Sequence, residues 1–340
     1  MPKILIIRFS SIGDIVLTTS VLRCIRMQTG AEVHFLTKES FRSVVEHNPH
    51  VSRVHTIRKK VSEVMPALRS EGFDFVVDLH HNLRSWEVKS ALGVPSKSFD
   101  KLNWEKWLLV NLGISRLPKL HIVDRYLAAA TPLGVQNDGL GLDYFIPETD
   151  DEAAQGFLAG HFGAQIPAFI ALVTGAAHAT KRLPEARLVE LCRLIPIPVV
   201  LLGGPEELEQ GERIVAQAGA HVINGCGKLK LNQSAAVLRR AQKVITHDTG
   251  LMHIAAALGK DIVSIWGNTV PEFGMTPYMP VGQPAGKILE VKELSCRPCS
   301  KIGYQTCPKG HFRCMNDIDF SEIISWHSDK PDRAVSSTAP

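Results

Sequence analysis

No uninterrupted apolar run in this sequence approaches the roughly 18 residues that a membrane-crossing helix needs, so a membrane-spanning chain is not expected. The N-terminus, MPKILIIRFSSIGD, holds only a short apolar run leading into a glycine-containing turn, and reads as a first strand rather than a secretory signal. Cytoplasmic placement is the resulting expectation. The dinucleotide fingerprint GxGxxG is missing, since the turn after the first apolar run is SSIGD; this argues against a nicotinamide or flavin oxidoreductase. Charge of one sign is also scarce: 38 Lys and Arg against 34 Asp and Glu leave a net +4 with His neutral. That balance gives no argument for nucleic acid, but it suits a phosphorylated substrate or an anionic membrane surface. No internal repeat is detectable. Of seven cysteines, Cys24, Cys192 and Cys226 are scattered and read as reduced thiols.

What is present is a hydrophobic share of 45% with 21% charged residues, the balance of a globular protein with a substantial core. A chain of 340 residues exceeds what one ordinary core serves. Two domains are expected, 1–150 and 151–327, with 328–340 a polar, proline-containing disordered tail. In the first, Lys3 to Phe9 is a β-branched apolar run, Ile15 to Met27 has helical spacing, and Glu32 to Thr37 is a second strand. A helical stretch then runs through Val45, strands cover Val54 to Ile57 and Phe73 to Leu79, and a helix covers Val61 to Ser70. Asp138 to Asp151, rich in Gly, Pro and acidic residues, reads as a linker. Beyond it strands at Ala168 to Val173, Pro198 to Leu202, His221 to Asn224 and Lys260 to Trp266 alternate with helices at Leu183 to Leu194, Glu206 to Ala218 and Gln233 to Ala241. The alternation predicts two doubly wound parallel-sheet units of Rossmann-like type facing a ligand cleft.

The stretch Lys243 to Lys260, KVITHDTGLMHIAAALGK, organises the rest. It predicts a strand, a tight turn and a helix start, with Asp248 or Thr249 at the N-cap and Gly250 allowing close backbone approach. Such a helix start suits a phosphate, although an ordinary strand-to-helix turn has the same pattern. Asp14 closes the first strand-to-helix turn, where open α/β sheets place functional groups; it is either a general base or the cap of the next helix. Lys181, in TGAAHATKRLP after a small-residue loop, is either a surface lysine or a group that neutralises a diphosphate leaving group. Glu206 or Glu207, after Gly203 and Gly204, either accepts from ribose hydroxyls or complements a helix dipole. Lys97, Lys101 and Lys106, scattered near Trp104 and Trp107, are solvated surface or the approach for an anionic substrate.

Taken as a set, SSIGD, TKRLP and HDTGLMHIAAALGK resemble the motifs of glycosyltransferase family 9, the bacterial lipopolysaccharide heptosyltransferases, and CRPCSKIGYQTCPKGHFRCM resembles a cysteine-rich segment of many members. The resemblance implies a GT-B fold, with an acceptor-binding N-terminal domain and a nucleotide-sugar-binding C-terminal one. It implies an inverting, metal-independent and cofactor-free transfer of heptose from ADP-heptose to a lipid A-linked saccharide, with peripheral contact at the cytoplasmic face of the inner membrane. By motif position Asp14 would be the base, with Ser11 and Gly13 as substrate contacts. Lys181 would contact the diphosphate beside Thr180, and Asp248, Thr249, Gly250, Leu251 and His253 would form the sugar and phosphate loop, with Glu206 a further substrate contact. Ser20 stands where many members have Pro, and Leu183 where many have Trp. A transferase using another nucleotide sugar and a non-catalytic nucleotide-sugar-binding protein are the alternatives. Cys296, Cys299, Cys307 and Cys314 form C-x2-C-x7-C-x6-C, which fits a structural metal site or reduced thiols packed in a loop. No His and carboxylate constellation accompanies them, so no catalytic metal is expected.

Overall fold

The structure, a computed structural model, describes residues 1–328. The tail expected from 328 onward lies, beyond its first residue, outside the described residues. Five strands form the first sheet: β1 Lys3–Ile7, β2 Glu32–Lys38, β3 Arg53–Ile57, β4 Phe75–Asp78 and β5 Ser96–Ser98. Their order is β3-β2-β1-β4-β5 and every pairing is parallel. The second sheet has β6 Ile170–Val173, β7 Val199–Leu202, β8 Val222–Asn224, β9 Lys243–His247, β10 Ile262–Trp266 and β11 Lys287–Glu290. It is ordered β11-β10-β9-β6-β7-β8, again all parallel. Central strands such as IALV and VVLL are buried at every position, as helices on both faces require. One apolar cluster runs through both halves, joining Ile6, Leu22 and Phe35 to Ala171, Leu238 and Ile254.

Several expected elements are shifted. The single helix over 15–27 is two, Ile12–Val16 and Thr19–Thr29. Thr18 Oγ1 donates to the Ile15 carbonyl and Thr19 Oγ1 to that of Val16, so hydroxyls occupy carbonyls at the break. The stretch toward Val45 is a 3-10 helix, Glu39–Val44, and the helix expected over 61–70 is a 3-10 turn followed by Met65–Glu71. The linker expected to run to Asp151 ends at Pro147, because Glu148–Phe162 is helical. Glu148, Asp150 and Asp151 lie in its first turn, complementing the dipole, and Asp151 pairs with Arg239 and Arg240 beside the second sheet. The edge strands β5 and β11 were not expected.

Candidate active site

β1 and β9 both deliver a helix start to the space between the sheets, and these starts touch. A Cβ on Gly13 would lie 2.7 Å from His253 Cδ2 and 3.3 Å from the Gly250 Cα; one on Gly250 would lie 2.8 Å from Ile12 Cγ2 and 3.2 Å from the Gly13 nitrogen. Both positions therefore need glycine for proximity. Two cavities flank this waist, of about 820 and 790 Å³, and Ile12, Ala177, Thr249 and Gly250 border both.

The second cavity holds Asp14. Its Oδ2 accepts from the Ser11 hydroxyl at 2.7 Å and the Ser11 amide at 3.1 Å, and Arg8 Nη2 stands 2.5 Å from Oδ1. Asp14 thus takes part in capping its own short helix and also faces the cavity. Burial acts to raise the carboxyl, but the Arg8 guanidinium and the Ser11 bonds outweigh it and hold Asp14 below the usual carboxylate range. Arg8 is fixed by the carbonyls of Ser10 and Leu79 and lies over the Tyr126 ring, 5.7 Å from its centroid. Its role was not read from the sequence; the available signal was a cation in the same strand-end segment as the carboxylate.

Lys181 reaches the same cavity from the second half, with Nζ 2.6 Å from Asp248 Oδ2, which also accepts from Thr269 Oγ1 at 2.9 Å. Thr249 is the N-cap of the helix Gly250–Ala257, but its side chain makes no capping bond; the Met252 amide donates to the Thr249 carbonyl, and the Gly250 amide at the waist is left for another acceptor. His253, buried against Gly13, lines the cavity as a neutral imidazole, because burial pushes its pKa to about 4. Lys101, Lys106 and Lys301 complete the wall, and none forms an ion pair among the described residues. Burial, with Arg125 nearby, lowers Lys106 to about 8; burial and Arg8 lower Lys101. Five cations against Asp14 and Asp248 make this cavity a receptor for anions.

The first cavity is lined by the loops after β6, β7 and β8 and by Thr249, Gly250 and Leu251. Its two glutamates divide their duties. Glu207 is buried, accepting from the Gly204 amide and from Arg182 Nη1, each at 2.8 Å, whereas Glu206 is exposed at the rim. A Cβ on Gly175 would meet Glu207 Oε2 at 2.8 Å, so the wall opposite is backbone.

Among the expected contacts, Ser11, Gly13, Asp14, Lys181, Asp248, Thr249, Gly250 and His253 border the second cavity, and Glu206, Thr249, Gly250 and Leu251 the first. Thr180 borders neither: it is buried, its hydroxyl accepting from the Tyr304 amide at 2.8 Å and bonding the Tyr304 carbonyl at 3.1 Å. Leu183 is in the core, its amide donating to His247 Nε2, and Ser20 is buried within the helix Thr19–Thr29. The cysteine-rich segment is tied down by Thr180 and by Arg297, which donates to the carbonyls of Gly267, Thr269 and Val291 and pairs with Glu290. It thereby supplies Lys301 to the second cavity. Its four thiols form no disulfide: Cys299 Sγ donates to the Cys296 carbonyl, Cys296 Sγ lies 3.8 Å from His311 Nε2, and Cys314 packs in the second core. Among the described residues the three-ligand group with atoms within 4.8 Å is instead His34, His55 and Glu71, at the far end of the first sheet. There Glu71 is already held by Lys3 and Arg53, and His34 Nδ1 bonds His55 Nε2 at 2.9 Å.

Two parallel-sheet α/β units that present a carboxylate and an anion-binding helix start to one another across paired cavities have the GT-B architecture of glycosyltransferases. The sequence model of glycosyltransferase family 9 (heptosyltransferase) matches residues 61–308, and the chain belongs to that family; it is a glycosyltransferase. It is similar to lipopolysaccharide heptosyltransferase 1 of Escherichia coli strain K12, 26% identical over 294 residues that cover 79% of this chain and 89% of the relative. Among solved structures, the family 9 glycosyl transferase of Veillonella parvula DSM 2008 superposes with a TM-score of 0.77 at 24% identity, covering 95% of both chains. The E. coli ADP-heptose lps heptosyltransferase II does so at 0.67 and 22%, covering 93% of this chain and 98% of that one.

Proposed function

We propose that the protein moves a heptose from ADP-heptose to the inner core of lipopolysaccharide, on a lipid A-linked saccharide at the cytoplasmic face of the inner membrane, with inversion at the anomeric carbon. The observation that carries this reading is the meeting, in one cation-rich cavity, of an ionised carboxylate from one half and a lysine and helix start from the other. The acceptor binds on residues 1–150 and the donor on 151–327. Asp14, ionised because Arg8 holds its pKa down, accepts the proton of the attacking hydroxyl. The hydroxyl oxygen bonds to the anomeric carbon as the bond to the diphosphate oxygen breaks, and single displacement inverts the centre. Lys181 and the Gly250 amide take up the charge that develops on the departing ADP. Glu206, at the rim of the first cavity, is placed to accept from ribose hydroxyls.

Lys101, Lys106 and Lys301 suit an acidic saccharide, which supports a lipopolysaccharide core acceptor over a neutral one. The test is ADP release by purified protein given ADP-heptose, or a panel of other nucleotide sugars, with and without truncated lipopolysaccharide. Acceptor-dependent release is expected, falling about 100-fold or more in Asp14→Asn with donor binding retained. Release from a different sugar nucleotide would reassign the donor, donor binding without turnover on any acceptor would leave a binding protein, and full activity in Asp14→Asn would remove the base.

A further inference from the structure

The helix Asn103–Leu112 stands at the lip of the second cavity and turns different residues to its two sides. Asn103 and Lys106 line the cavity and Leu108 is buried. Outward, Trp104 and Trp107 stack on one another, with centroids 5.2 Å apart and planes within 6°, yet remain 62% and 41% exposed. The apolar exposure continues past the helix through Leu112, Ile114 and Leu120, and Arg116 and Lys119 stand among them without an ion pair in the described chain. Leu83 and Trp86, in the helix Leu83–Leu92 that follows β4, the parallel neighbour of β5, are also exposed. A concentrated set of large exposed side chains on one edge is costly in water and marks a contact surface.

We infer that Trp104, Trp107 and the stretch to Leu120 seat the protein on an anionic lipid bilayer, with the second cavity opening at the membrane surface. This rests on the proposed lipid-borne acceptor. Residues 97–120 carry five cations, Lys101 and Lys106 at the cavity and Lys97, Arg116 and Lys119 outside it, against Asp100 and Glu105. That excess complements an acidic headgroup layer rather than a neutral partner surface. Tryptophan is the side chain that settles at the boundary between headgroups and acyl chains, its ring apolar and its N–H wet. A ten-residue helix with two such rings and flanking cations is long enough to lie in that boundary and too short to cross it.

The experiment is sedimentation of the full-length protein with phosphatidylcholine vesicles and with vesicles containing phosphatidylglycerol. Binding to the anionic vesicles is expected, falling with added salt, and falling on the order of tenfold in Trp104→Ala/Trp107→Ala. Arg116→Glu/Lys119→Glu is expected to lose the salt-sensitive part. Both variants should match wild type in thermal unfolding and in turnover of a deacylated, soluble acceptor, and should lose turnover of the vesicle-borne one. Wild type that ignores anionic vesicles, or a tryptophan variant that binds them as well as wild type does, would overturn the inference. So would equal loss of turnover on the deacylated acceptor, which would make the tryptophans a sugar platform. Vesicle binding of the expected kind with no ADP release on any acceptor would support this surface while counting against the proposed function.

Discussion

The two halves have the same strand order at their centres, β3-β2-β1-β4 in one and β8-β7-β6-β9 in the other, so β4 and β9 occupy equivalent places. Each ends beside an aspartate. Asp78 is fully buried: Oδ1 accepts from the amides of His80 and His81, and Oδ2 from Ser85, Ser98 and Lys89. Among the described residues Asp248 accepts from Lys181 and Thr269, both on Oδ2, and faces a cavity. A carboxylate saturated by donors on both oxygens stabilises the fold, whereas one held on a single oxygen at a cavity wall can exchange its lysine with a substrate. Position in the topology offers a site; the surrounding donors decide whether it is spent on structure or on chemistry.

The largest expected effect separates these two residues. Asp78→Asn breaks a buried network and leaves the Lys89 cation uncompensated, and should cost on the order of 3–5 kcal/mol in thermal or denaturant unfolding. Asp248→Asn, which keeps the acceptor for Thr269 and removes one partner of a pair at a cavity wall, should cost less stability than Asp78→Asn, about 1–3 kcal/mol, but raise the donor KM several-fold, because it alters the grip on Lys181. Equal loss of stability in both would erase the distinction. A second contrast concerns glycines. Gly13→Ala drives a Cβ into His253 across the waist and should destabilise by about 1–3 kcal/mol with a drop in turnover. Gly156→Ala, in the helix Glu148–Phe162 with no neighbour within 4 Å of the new Cβ, should stabilise by about 0.5–1 kcal/mol and leave turnover unchanged.

The smallest effect is on pH dependence and compares two arginine–carboxylate pairs, Arg8–Asp14 and Arg182–Glu207. With Arg8 present, Asp14 stays ionised to below the ordinary carboxylate range, so with Asp14 as the proposed base, activity is expected to fall only as pH drops through that lowered pKa. Arg8→Gln should move the acid limb of kcat/KM to higher pH. Arg182→Gln removes the partner of Glu207, a residue remote from proton transfer, and should leave that limb in place. An upward shift in both variants would mean a global electrostatic effect rather than a local one on Asp14.

Much of the fold was legible because strands buried on both faces must be nearly continuous apolar runs: KILII, IALV, VVLL and IVSIW all read directly. The edge strands SKS and KILE did not, since short edge strands with polar or charged ends lack that signal. The positions of Asp14 and of the helix start at Gly250 were legible because glycine, small polar residues and strand ends fall together there. Arg8, Lys301 and the engagement of Thr180 by Tyr304 were not, because those relations are made by contacts between elements, some more than a hundred residues apart in sequence. Which of Glu206 and Glu207 is buried likewise depended on which one Arg182 and the Gly204 amide could reach.

The narrow waist has a consequence for inhibitor chemistry. Ile12, Ala177, Thr249 and Gly250 border both cavities, and the two helix starts meet there through glycine backbone. A molecule built to span the two chambers must therefore thread a slim, anionic linker past Gly250, with its bulk confined to the ends. Resistance by enlarging the residue at the constriction would be self-limiting, because the same substitution would force the halves of the enzyme apart.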